Sequence, residues 1–112
     1  MSYGRRLDGW LQELLSEIKR GLEEVYGERL QGVYLYGSRA RGEAEPESDV
    51  DILIVLDEVG HYHGELERTA RLVSELSLRY DVSISRVLLS ASHWQNGDEP
   101  FLLTARKDVI AA

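Results

Sequence analysis

The sequence predicts an α/β chain of the α+β kind, a small mixed β-sheet with helices packed on it. Three observations lead there. Residues 31–36 and 49–56 carry the dense, β-branched apolar character of buried strands. Residues 7–26 and 65–79 repeat apolar positions at steps of three and four, as helices do. The two kinds of stretch alternate along the chain as helix, strand, turn, strand, helix, strand, helix.

The chain has 112 residues, which suits a single domain over 1–112. Hydrophobic residues make up 43% and charged residues 29%, an ordinary globular balance. No apolar run approaches the roughly 20 residues that cross a bilayer. Met1 to Arg6 is not followed by an apolar region, so no secretory signal is expected. The absence of cysteine excludes disulfides and thiolate metal sites and fits a cytoplasmic setting. The net charge of −7 argues against nucleic acid as the direct substrate, since duplex binders carry a basic face. Such a charge suits a basic partner, and it serves solubility equally well.

In the first helix the apolar stripe runs through Leu7, Trp10, Leu11, Leu14, Leu15, Ile18, Leu22, Val25 and Tyr26. Gly27 suits its C-terminal cap. Gln31 to Tyr36 follows as a strand with apolar mass on both faces, which predicts a central strand. Glu43 to Ser48 is a loop, because Pro46 discourages a long helix. Asp49 to Leu56 is the second strand. Asp57 to Gly64 connects it to the second long helix, Glu65 to Arg79, and His61 and His63 in that connection read as exposed. Tyr80 to Leu89 reads as a third strand in which Asp81, Ser83 and Ser85 alternate with Val82 and Ile84. Ser92 reads as the cap of a short helix. Asn96-Gly97 breaks the chain. Glu99 to Lys107 is a last helix, with Pro100 in its first turn and Phe101, Leu102 and Ala105 toward the core. Val109-Ile110 closes with a short strand.

Chemistry concentrates in Gly37 to Asp51, GSRARGEAEPESDVD, between the first two strands. Side chains alternate along a strand, so Asp49 and Asp51 share a face, with Cα atoms about 6.6 Å apart. Two neighbouring carboxylates repel, and a divalent cation removes that cost. One or two carboxylates completed by substrate phosphates describe a magnesium site. Gly37 permits a sharp turn and close approach of a phosphate. Ser38 adds a hydroxyl at the start of a short helical turn, whose free N–H groups favour an anion. Arg39 and Arg41 add positive charge, as phosphate contacts or as exposed residues of that turn. Asp81, on the expected third strand, is placed to complete the metal site or to act as a base toward an attacking hydroxyl. Its plain alternative is a turn-capping aspartate. The plain alternative for the whole stretch is a polar loop with solvated aspartates.

Gly37-Ser38, ten residues, then Asp49-Val50-Asp51 resembles the nucleotidyltransferase superfamily typified by polymerase beta. The short length and the run SDVDILIVL are similar to the minimal nucleotidyltransferases, or MNT proteins. Pro100-Phe101-Leu102 followed by Ala105-Arg106-Lys107 resembles the way those proteins end. The resemblance implies the nucleotidyltransferase core fold and magnesium-dependent transfer of a nucleoside monophosphate. Asp49, Asp51 and Asp81 would be the metal-binding catalytic acids, and Gly37 and Ser38 would hold the β and γ phosphates. It also implies an antitoxin that transfers AMP from ATP to a tyrosine of a HEPN ribonuclease toxin. A binding antitoxin that works by covering its partner is the alternative from another class. A stand-alone nucleotidyltransferase acting on a small molecule is the third.

Overall fold

The strand Val50–Leu56 (β2) is buried at every position except Asp51. In this computed structural model, which describes residues 7–112, everything else is arranged around that strand. The expectation about Met1 to Arg6 lies outside the described residues. Leu30–Tyr36 (β1) pairs with β2 antiparallel, and Ile84–Ser90 (β3) pairs with its other edge in parallel. Ile110–Ala111 (β4) adds an antiparallel edge to β1, giving the order β3-β2-β1-β4. β1 is therefore an inner strand, as its two apolar faces predict.

A parallel pair needs a long crossover, here the helix Tyr62–Tyr80 (α3). α3 shares one face of the sheet with the helix Gly9–Tyr26 (α1). Against them lie Val33, Leu35, Val50, Ile52, Ile54, Leu56, Ile84 and Leu88 in one buried cluster. Arg86 points to this side too, donating to Thr69 Oγ1 at 2.5 Å and to the Leu66 carbonyl at 2.8 Å. The intervening positions face the other way. There Ala91–Asn96 (α4) and Pro100–Asp108 (α5) cover part of the sheet through Tyr34–Trp94 and Tyr36–Phe101 ring contacts.

Several local expectations shift. α3 starts at Tyr62, because His61 Nδ1 caps it by accepting from the Gly64 amide at 3.2 Å. It ends at Tyr80, and the third strand begins at Ile84 rather than Tyr80. Ser90, not Ser92, caps α4 through a hydrogen bond from the His93 amide at 3.1 Å. Phe101 is 41% exposed instead of core, while Leu102 and Ala105 are buried as their spacing predicts. Helix and strand periodicity coincide near such boundaries, and only the completed hydrogen-bond ladder separates them.

Leu35 is fully buried at the centre of the sheet. Leu35→Ala is expected to cost about 2–5 kcal/mol through lost burial and a residual cavity. A urea melt followed by far-UV circular dichroism measures this as a lower midpoint at unchanged slope.

Candidate active site

Strand register builds a row across the sheet. Tyr36 is paired with Asp51, and Asp51 with Ser85. All three belong to the alternate set that faces away from α1 and α3, and they lie at the end of the sheet where β1 runs out and β2 begins. Gly37 follows Tyr36 directly, with φ of +78°, a left-handed conformation that favours glycine. A Cβ at Gly37 would overlap the Asp51 Oδ2 atom. The bend thus passes over the carboxylate with no space to spare. The other Asp51 oxygen, Oδ1, accepts a hydrogen bond from Ser85 Oγ at 2.6 Å. That bond fixes which way the carboxylate turns. Asp49 lies one residue ahead of β2, exposed, and two positions before Asp51.

After Gly37, Ser38–Arg41 (α2) makes a single helical turn. The Ala40 and Arg41 amides close back on the Gly37 carbonyl at 3.1 and 3.2 Å. The Ser38 and Arg39 amides precede the first intrahelical bond and stay at the open end of the turn, as helix geometry requires. Gly42 then ends the turn in a left-handed conformation, with φ of +75°.

The two arginines part company. Arg39 donates to the Ser48 carbonyl at 2.7 Å and to the Pro46 carbonyl at 3.3 Å, and stacks over the Trp10 ring at 5.1 Å. Its guanidinium ties the 43–48 loop to α1. Arg41 binds Glu43 at 2.9 Å, which drives it further toward its charged form, and Asp108 and Asp51 add weaker attraction. Arg41 remains beside the Gly37 bend.

Asp81 does not join the row. It sits at the C-cap of α3 in a left-handed conformation, with φ of +51°. Its amide donates to the Ser77 carbonyl. The helix needs a residue tolerant of positive φ there, no glycine is present, and aspartate meets the need. Among the described residues, no group of three or more His, Cys, Asp or Glu side chains converges as a metal site. Where a third acid was expected beside Asp51, the register of β3 places Ser85. Sequence reasoning passed over Ser85, although its two-residue spacing from Ser83 along an alternating strand was the available signal. His61 and His63 gather no ligand set either: His61 caps α3 and His63 pairs with Glu67 at 2.9 Å.

Tyr36 is half-buried among these groups. Burial first, then the Asp51 charge and Tyr62, push its phenol pKa up. It therefore stays neutral through the physiological range and adds no charge beside the carboxylate.

Gly37→Ala is expected to cost about 1–3 kcal/mol, from a strained backbone and the collision with Asp51. In a double-mutant cycle with Asp51→Ala, the collision part disappears. Chemical denaturation of the four proteins checks this as a non-zero coupling energy.

The chain is similar to several known proteins. The nucleotidyltransferase domain family matches residues 15–95. The protein adenylyltransferase MntA of Thermococcus cleftensis is 36% identical over 80 residues, covering 71% of this chain and 79% of that protein. The Methanocaldococcus jannaschii protein MJ0141, a candidate protein adenylyltransferase, is 36% identical over 76 residues, covering 68% of this chain and 76% of that one. Among solved structures, a toxin–antitoxin with AMP-PNP superimposes with a TM-score of 0.61 at 18% identity, covering 87% of this chain and 70% of that one. The complex of a tri-AMPylated Shewanella oneidensis HEPN toxin with its MNT antitoxin gives 0.57 at 18% identity, covering 89% and 69%. At such identities the superpositions speak for the fold. The domain match spans well over half of the chain, so this protein belongs to the nucleotidyltransferase domain family and is a nucleotidyltransferase.

Proposed function

We propose that this protein transfers AMP from magnesium-ATP to a tyrosine hydroxyl of a HEPN ribonuclease toxin, and so acts as the antitoxin of the pair in the cytoplasm. The observation that carries the reading is the Gly37 bend lying directly on the Asp51 carboxylate, whose free oxygen faces it. Relatives called protein adenylyltransferases support the AMP transfer. The MNT–HEPN complex with its tri-AMPylated toxin supports the partner, and AMP-PNP in another such pair supports the nucleotide.

The donor set fits magnesium. Asp49 and Asp51 would hold the ion as hard oxygen ligands, with substrate phosphates completing the site. When bound, the ion stabilises charge on the attacking and leaving oxygens. The chain's own residues do the rest. Gly37 brings the backbone directly over Asp51, so a polyphosphate held along the bend lies beside that carboxylate. The Ser38 hydroxyl and the open-end amides hold the β and γ phosphates, with Arg41 alongside. Ser85 keeps Asp51 in one orientation. The tyrosine oxygen bonds to the α-phosphorus, the bond from that phosphorus to the bridging oxygen breaks, and pyrophosphate leaves. The hydroxyl proton passes to solvent.

A second reading is favoured by one observation, the position of Asp81 away from the acid pair. In that reading the chain neutralises its partner by binding alone. Incubation with labelled ATP, magnesium and the partner toxin separates the two. Transfer predicts label on the partner, lost on the order of 10²–10³-fold or more in Asp49→Asn and Asp51→Asn. A double Asp49→Asn/Asp51→Asn variant that still protects cells from the toxin would establish the binding mode. Label on a small molecule without any partner would establish a metabolite-directed enzyme. Within the transfer reading, Ser85→Ala is expected to slow labelling roughly 10–100-fold, because Asp51 loses its orienting bond. The rate is read from the time course of partner labelling.

A further inference from the structure

The row that ends in Tyr36 continues into a pocket of about 370 Å³ between the Gly37 bend and α5. That volume lies within the range of pockets that take small organic ligands. Tyr36, Gly37, Arg41, Phe101, Thr104 and Asp108 line it. Gly37 therefore belongs to two places at once, the seat beside Asp51 and the mouth of this pocket.

Its walls have a particular chemistry. Phe101 and Tyr36 meet edge to face, with ring centroids 5.4 Å apart. Phe101 is 41% exposed, an aromatic surface without full cover. Asp108 lies two turns further along the same helix, near enough to Arg41 to attract it, and its carboxylate makes no hydrogen bond with the described residues. The helix that carries Phe101 and Asp108 is held firmly. Arg106 donates to the carbonyls of Trp94 and Gly97, both at 2.6 Å, and lies over the Trp94 ring at 5.7 Å. His93 binds Glu99 at 2.6 Å across the same junction. The pocket wall is thus preformed.

We infer that this pocket seats the nucleobase of the triphosphate, with Phe101 and Tyr36 as the apolar wall and Asp108 as the acceptor that reads the base. The inference rests on the nucleotide reading of the Gly37–Asp51 site. A base held here places its ribose across Gly37, with the polyphosphate along the Ser38 turn toward Asp51. Aromatic walls favour the larger stacking area of a purine. A carboxylate only accepts hydrogen bonds, so it selects an amino-bearing base such as adenine. α5 lies beyond residue 95, where the domain match ends. The competing occupant is the aromatic ring of an acceptor tyrosine, which would leave free-nucleotide affinity untouched.

Calorimetric titration with magnesium-ATP, magnesium-UTP and magnesium tripolyphosphate tests this on wild type, Phe101→Ala, Asp108→Asn and Asp51→Asn. Phe101→Ala is expected to weaken ATP roughly tenfold or more and to leave tripolyphosphate unchanged. Asp108→Asn is expected to narrow the preference for ATP over UTP. Asp51→Asn is expected to weaken all three ligands. Unchanged ATP affinity in Phe101→Ala, with the Asp51→Asn loss intact, overturns the base pocket and leaves the phosphate site standing. Unchanged ATP affinity in Asp51→Asn overturns the nucleotide site itself. If Phe101→Ala binds ATP normally but no longer labels the partner, the pocket belongs to the acceptor and the inference fails. Circular dichroism confirms folding, which the half-exposed Phe101 position is expected to tolerate.

Discussion

Everything at the active end of this protein depends on strand register. Tyr36, Asp51 and Ser85 sit side by side because β1, β2 and β3 pair in one alignment. A slip of one residue would turn the carboxylate into the apolar layer beneath α1 and α3. The opposite face of β2 prevents that slip. Val50, Ile52, Ile54 and Leu56 are all buried in the cluster under the two long helices. The core therefore does more than stabilise the chain: it selects which residues stand together in the site.

The Gly37 bend lies directly over that row. A side chain there would collide with Asp51, so the backbone itself forms one wall. Ser85 forms the other by taking one Asp51 oxygen. Such a carboxylate is oriented before any ligand arrives, which reduces the ordering needed on binding. The surrounding charges are allotted in the same economical way. Arg39 anchors the 43–48 loop to Trp10 and to backbone carbonyls, and Arg41 alone of the pair remains at the bend.

The far edge of the site is set by contacts remote in sequence. α5 reaches Tyr36 because Arg106 locks its position against the Trp94–Gly97 turn. Its apolar side buries Leu102 and Ala105, and its outer side leaves Phe101 beside Tyr36. A helix of this length can bury only one stripe, so packing the inner stripe leaves the neighbouring aromatic at the mouth of the pocket.

The chain's local chemistry settles a good deal by itself. Alternation and periodicity mark the long helices and the inner strands, and Gly37-Ser38 with Asp49 and Asp51 marks the candidate site, because these signals lie within a few residues of one another. Asp81 shows the limit. Its alternation with Ser83 and Ser85 is that of a strand, yet the end of α3 claims it for a cap with positive φ. Whether Asp81 or Ser85 stands beside Asp51 depends on where a nineteen-residue crossover helix stops and how β3 then docks in parallel. The same holds for Phe101 and Arg39, whose surroundings come from distant segments. Short-range steric and hydrogen-bonding preferences are written in neighbouring residues, whereas register and side-chain partnership arise only once separate segments are packed.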